Sequence, residues 1–148
     1  PYRGGQVIKF TIPWPPSVNS YWRHPSKGKL AGRHLISSEG RAYRTSVMAG
    51  CHRQKVFNLR LEGRLEISLS VVPPDKRRRD LDNLLKSALD SIVHAGVVLD
   101  DSQFDRIVIA RISDEKKSTE QSGLVYVQIT ETTKELSDDL VFLRKQAD

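Results

Sequence analysis

The run Asp75-Lys76-Arg77-Arg78-Arg79-Asp80-Leu81-Asp82-Asn83-Leu84-Leu85-Lys86 holds the residues best suited to chemistry. Asp80 and Asp82 stand two residues apart directly after a basic run, and Lys86 follows one helical turn later. A further acidic pair, Asp100-Asp101, lies beyond Gly96. Acids set beside arginine and lysine suit metal-assisted cleavage of a phosphodiester. The cations hold phosphates, and the acids hold Mg²⁺ against the scissile one. Read singly, each residue also has a structural use. Asp80 suits a helix N-cap, and Asp82 with Lys86 suits a surface ion pair worth a few tenths of a kcal/mol. Lys76 to Arg79 suit a solvated run, and Asp100-Asp101 a loop. A structural helix, however, has no reason to gather two acids and three arginines at one N-terminus.

These residues need a helix to position them. Leu81, Leu84, Leu85, Ala88, Leu89, Ile92 and Val93 recur at helical spacing and predict an amphipathic helix over 81–94. Asp80 is its expected N-cap and Gly96 its stop. Asp82, Lys86 and Asp90 form a row on the other face. Leu81, pointing inward, would fix both flanking acids, and the positive end of the helix dipole would keep them ionised. The helix spans roughly 20 Å at ~1.5 Å per residue. The run Val97-Val98-Leu99 would bring Asp100 and Asp101 back some ~15 Å along it. Three carboxylates and waters make a reasonable Mg²⁺ shell, with Lys86 neutralising charge that develops at phosphorus.

The rest of the chain reads as a sheet with helices. Gln6 to Ile12 alternates as a strand, ended by Pro13-Trp14-Pro15-Pro16. Trp14 reads as a core residue. A loop follows over 17–37 with Tyr21, Trp22, Arg23, His24, Lys27, Lys29, Arg33 and His34. Cations interleaved with rings suit a phosphate backbone and unpaired bases. Ser38 is the expected cap of a helix over 39–55, in which Cys51 is a packing residue. Leu61 to Val72 alternates as a strand with one polar face. Arg106 to Ile112, apolar on both faces, predicts a central strand. Gly123 to Thr130 is expected to pair with it through a turn over 114–122, and Ser137 to start a short final helix. The predicted order is β-α-β-α-β-β-α. It makes a mixed α/β (α+β) sheet in one compact domain over 1–148, with its core at about 6–132 and a helical tail over 133–148.

Composition sets the limits. The chain has 148 residues, 38% hydrophobic and 28% charged, enough for a real core. A net charge of +6 points to a polyanionic partner, with nucleic acid the first expectation. The single cysteine, Cys51, excludes an intramolecular disulfide and fits a reducing cytoplasm. No apolar run approaches the ~18 residues of a membrane span, and no signal-peptide layout opens the chain. A start at Pro1 implies a trimmed initiator methionine or leader. His24, His34, His52 and His94 show no metal-ligand spacing, and no second cysteine serves a zinc site. The absence of a phosphate-binding glycine loop argues against a nucleotide cofactor.

At this point a resemblance becomes specific. Arg77-Arg78-Arg79-Asp80-Leu81-Asp82-Asn83-Leu84-x-Lys86, followed by Ala95-Gly96-x-x-x-Asp100-Asp101-Ser102-Gln103, resembles the RusA family of Holliday junction resolvases. Pro13-Trp14-Pro15-Pro16-Ser17-x-Asn19-x-Tyr21 and Ser38-x-Gly40-x-Ala42-Tyr43-Arg44 are similar to that family's earlier segments. The resemblance covers roughly residues 10–129. It implies that Asp80, Asp82 and Asp101 are the essential metal-binding acids and Lys86 the essential lysine. It also implies a Mg²⁺-dependent homodimer that resolves four-way DNA junctions by paired nicks leaving 5′-phosphates, in recombination and repair and often in phages. A two-fold dimer suits two symmetric cuts. Lys76, Arg77, Arg78, Arg79, Arg23, Lys27, Lys29 and Arg33 are the expected DNA contacts. The alternatives are a branched-DNA-binding module that does not cut, or a metal nuclease for forks and flaps.

Overall fold

A computed structural model of the chain describes residues 5–112 and 123–132. The elements are β1 (Ile8–Pro13), α1 (Val18–Tyr21, one turn), β2 (Trp22–Arg23), β3 (Leu35–Ile36), α2 (Ser38–Arg53), β4 (Leu65–Val72), α3 (Asp82–His94), β5 (Phe104–Arg111) and β6 (Leu124–Glu131). A 3₁₀ turn, Asp101–Gln103, leads into β5. Among the described residues four strands form a mixed sheet in the order β1-β6-β4-β5, and β2 and β3 form a separate small hairpin. This is the expected α+β class. The final helix predicted from Ser137 lies outside the described residues.

Alternation builds the core. Ile67, Leu69 and Val71 of β4 lie opposite Ile129, Val127 and Val125 of β6. Phe10 and Ile12 of β1 lie opposite Val127 and Val125. All of these are buried on one face of the sheet, in a cluster with Val47 and Cys51 of α2 and Leu84, Ala88, Leu89 and Ile92 of α3. Cys51 is thus a packing residue, and burial pushes its thiol up to about 11. Trp14 is half-buried against the same cluster.

Several sequence expectations are corrected. The cap of α2 is Ser37, not Ser38; its hydroxyl accepts from the Gly40 N–H at 2.9 Å. Asp80 does not cap α3. Leu81 occupies that position in helical conformation, with no side-chain cap bond. The strand expected from Leu61 begins at Leu65. Among the described residues β5 is an edge strand rather than a central one, pairing only with β4. β6 does not pair with β5, because it lies between β1 and β4, antiparallel to both. The crossover through α3 makes β4 and β5 parallel, as a helix connection of this kind permits. An apolar run on both faces does not by itself place a strand in the middle of a sheet. Ile107 and Val108 remain 40% and 38% exposed on this edge.

Candidate active site

Two prolines, Pro73 and Pro74, follow β4 and end its ladder. The chain then turns through Asp75 to Asp80 into α3, and this turn is heavily braced. Asp75 accepts from the Arg77 N–H at 2.9 Å. It also receives a two-pronged grip from Arg79, at 2.5 and 2.9 Å. The Arg79 fork, helped by the Arg77 N–H, holds the Asp75 carboxyl far below the usual carboxylate range. The Arg79 guanidinium lies over the Trp14 ring, 5.6 Å from its centroid. Arg111, ending β5, donates to the Arg79 carbonyl at 2.5 Å.

This bracing divides the basic run. The Arg79 side chain is only 22% exposed and is engaged by Asp75, whereas Arg77 is 85% exposed. Lys76 and Arg78 are exposed as well. Arg79 therefore shapes the turn, and the other three cations face solvent.

Beyond the turn, Asp80, Asp82 and Lys86 stand exposed along the start of α3. Leu81, half-buried between the acids, packs against the core, and Leu84 is buried. The side chains of Asp80, Asp82, Lys86 and Asp101 make no hydrogen bond or ion pair with any described residue. Asp90 departs from the row expected with Asp82 and Lys86. It turns to Arg44, whose Nε and Nη2 donate to it at 2.9 and 2.6 Å. The Tyr21 hydroxyl also donates to Asp90 and accepts from Arg44. This partly buried trio ties α1, α2 and α3 together. Burial first, and then the Asp90 carboxylate, raises the Tyr21 pKa.

Asp101 sits elsewhere. It opens the 3₁₀ turn before β5, and Phe104 of β5 pairs with Leu65 at the start of β4. The Asp80 segment is instead tied to Arg111, at the far end of β5. At about 3.3 Å per residue, the ends of β5 are roughly 23 Å apart. Asp101 and the Asp80–Asp82 pair therefore lie at opposite ends of the sheet within one chain. The connection does not bring the acids together as expected. Among the described residues no group of three or more His, Cys, Asp or Glu side chains is placed to hold one ion.

Two residues hold this second region in shape. Asp100 caps the 3₁₀ turn by accepting from Ser102, which lowers its pKa. Gln103 is buried and fully hydrogen-bonded. Its Oε1 accepts from the Leu99 and Asp100 N–H groups at 2.8 and 2.9 Å. Its Nε2 donates to the Leu61 and Gly63 carbonyls at 2.9 and 3.0 Å. Sequence reasoning quoted Gln103 within a motif but gave it no role, and it passed over Arg111. A lone glutamine between Ser102 and Phe104 is a weak sequence signal.

The remaining expected DNA contacts, Arg23, Lys27, Lys29 and Arg33, are all exposed on the β2–β3 hairpin and its loop. A depression of about 410 Å³ on the sheet is lined by Lys9, Thr11, Ser68, Ser70 and Gln128, and none of the four candidate site residues borders it. No helix of the described residues is long and apolar enough to cross a membrane.

Free carboxylates beside exposed cations, on a small α+β sheet domain, are the equipment of a nuclease. A family model described as Endodeoxyribonuclease RusA matches residues 13–130, and the chain belongs to this family. It is similar to the crossover junction endodeoxyribonuclease of Enterobacteria phage HK97, with 43% identity over 103 residues, 70% of this chain and 81% of the relative. The enzyme of the same name from Escherichia coli K12 is 42% identical over 97 residues, 66% of this chain and 76% of the relative. That of Enterobacteria phage 82 is 44% identical over 93 residues, 63% of this chain and 72% of the relative.

Proposed function

We propose that this chain is a crossover junction endodeoxyribonuclease that resolves four-way DNA junctions by paired nicks, with Mg²⁺ held first by Asp80 and Asp82. The observation that carries the proposal is the exposed pair of acids on a braced turn, without a partner among the described residues, with Lys86 one turn along the same helix. Mg²⁺ prefers one or two carboxylates, with waters and substrate phosphate completing the shell, so two free acids suit it. When bound, the ion would polarise the phosphodiester and lower the pKa of an attacking water.

The chain's own groups supply the rest. Lys76, Arg77 and Arg78 bind phosphates beside the acids, and Arg23, Lys27, Lys29 and Arg33 bind the arms farther out. Lys86 faces charge that develops on the phosphoryl oxygens. Asp75, Arg79, Trp14 and Arg111 fix the turn and touch no substrate.

Asp101 joins the site from a second copy. Among the described residues β5 is an edge strand with Ile107, Val108 and Ile112 exposed, and such an edge invites pairing. Antiparallel pairing of two β5 strands about a two-fold axis sets the start of one against the end of the other. Asp101 of the second copy would then approach Asp80 and Asp82. The dimer would present two equivalent sites for two symmetric cuts.

A cleavage assay tests the proposal on a synthetic junction, a fork and a linear duplex at one salt concentration, with and without Mg²⁺. Paired nicks in the junction alone, only with the ion, are expected. An Asp82→Asn chain should bind the junction at least as well as the unaltered one and leave it uncut. Unchanged nicking by that variant would remove Asp82 from the site. Junction binding by the unaltered chain without any cutting would leave a binding module.

A further inference from the structure

We propose that His24 and His34 form a site for a borderline transition-metal ion of the Zn²⁺ or Ni²⁺ class, at the neck of the basic loop. This goes beyond the nuclease reading, uses none of its acids, and departs from the sequence expectation, because the hairpin brings together two histidines whose linear spacing signals no metal. The argument begins with register. In the β2–β3 hairpin Trp22 lies opposite Ile36, and Arg23 opposite Leu35. One step further along the same register, His24 faces His34. Directly opposed residues of an antiparallel pair hold their Cβ atoms about 4.5–5.5 Å apart, which lets two imidazoles converge.

They do converge: the two Nδ1 atoms are 3.2 Å apart. Two imidazole nitrogens bound to one tetrahedral ion, each about 2.0–2.1 Å from it, lie roughly 3.3 Å from one another. The spacing therefore matches a shared ion as well as it matches a hydrogen bond. A modest turn of each ring would aim both lone pairs at a point beside the line joining them.

The pair is also held in place. His34 stacks on Trp22, with centroids 4.2 Å apart and planes 27° apart. Trp22 meets the edge of the buried Tyr21 ring at 5.1 Å. The His24 ring lies 4.5 Å from that of His34. Ordering a ligand pair before the ion arrives removes part of the entropic cost of binding. Both histidines are exposed, so an ion reaches them from solvent, and water fills the other coordination positions. Imidazole suits Zn²⁺ and Ni²⁺, whereas carboxylates suit Mg²⁺, so the two sites sort their ions by ligand type. Binding would clamp the loop that carries Lys27, Lys29 and Arg33, and add positive charge among them.

The test is a titration of chelator-treated protein with Ni²⁺, and separately with Zn²⁺, in saturating Mg²⁺, followed by calorimetry and tryptophan fluorescence. One ion per chain is expected to bind, with affinity at least tenfold lower in His24→Gln and in His34→Gln. Asp82→Asn should bind the ion as the unaltered chain does, which separates this site from the nuclease acids. Trypsin cleavage after Lys27 and Lys29 should slow when Zn²⁺ is added, and should not slow in His24→Gln. Circular dichroism of both histidine variants should match the unaltered chain, as both positions are exposed. Coincident titrations of the unaltered chain and the doubly substituted chain would overturn the proposal. So would binding that Asp82→Asn abolishes and the histidine variants keep.

Discussion

The guanidinium of Arg111 donates to the backbone carbonyl of Arg79, the residue immediately before Asp80. The end of an edge strand thereby fixes where the acidic helix begins. Replacing Arg111 with Met removes this strut and leaves Asp80 in a looser turn. A hydrogen bond to a charged group contributes about 1.5–3 kcal/mol. Junction-cleavage kcat should therefore fall roughly tenfold or more, with KM changed much less. Arg111→Lys, which keeps the charge and a donor, should restore part of kcat and leave KM little changed. Single-turnover kinetics on a synthetic junction separate these outcomes.

Asp75 and Arg79 make the pH-sensitive part of the same turn. The Asp75 carboxyl titrates below its ordinary range because Arg79 grips the ionised form. Folding therefore gains from the pair above an unfolded carboxyl pKa of about 3.9, and loses that gain as the pH falls further. Asp75→Asn should melt below the unaltered chain at pH 7, and the gap should narrow in strong acid. The same substitution releases Arg79. The slope of log affinity against log salt for junction binding should then steepen by about one.

Composite sites can be tested by mixing. If Asp101 serves the acids of the other copy, Asp82→Asn and Asp101→Asn chains are each inactive alone. A mixed dimer of the two has one site with both defects and one site with neither. Mixing should thus restore cutting, as single nicks rather than paired ones. Continued silence of the mixture would place all the acids of each site on one chain. Nicked junctions and fully resolved duplexes, separated on a native gel, give the readout.

Gln103 offers a test that leaves every acid in place. Substitution by Leu strands the Leu61 and Gly63 carbonyls and the Leu99 and Asp100 N–H groups. The buried Leu61 carbonyl, left unmet, costs about 1–3 kcal/mol, and the partly buried groups add less. Melting should drop by several degrees or more. At a temperature where the variant remains folded, cleavage should fall further than junction affinity, because the turn that carries Asp101 has moved.

Gly40 marks a close approach. A Cβ there would lie 2.5 Å from the Tyr21 carbonyl oxygen and 2.8 Å from Ile36 Cγ2. Gly40→Ala should destabilise by about 1–3 kcal/mol despite better helix propensity, a loss that thermal melting can measure.

Much of the local structure was legible in the residues. Alternation marked β1, β4 and β6, and the stripe from Leu81 to Val93 marked α3 and set Asp80, Asp82 and Lys86 on its exposed side. Gly96, at φ +70°, ends α3 where expected. Helix starts were harder, because neighbouring serines and aspartates compete as caps. Ser37 rather than Ser38 caps α2, and the bracing by Asp75 and Arg79 leaves Asp80 free. Asp90 looked like a surface partner of Lys86 until Arg44, from another helix, appeared beside it.

By itself, the sequence determined which residues can do chemistry and which face of each element meets the core, because hydrophobic period and residue type are local properties. Only the tertiary structure decided which strands are neighbours. Strand order depends on how crossovers close around a common core, and no local pattern encodes that. It placed β6 between β1 and β4, left β5 beside β4 alone among the described strands, and set Asp101 and the Asp80–Asp82 pair at opposite ends of the sheet.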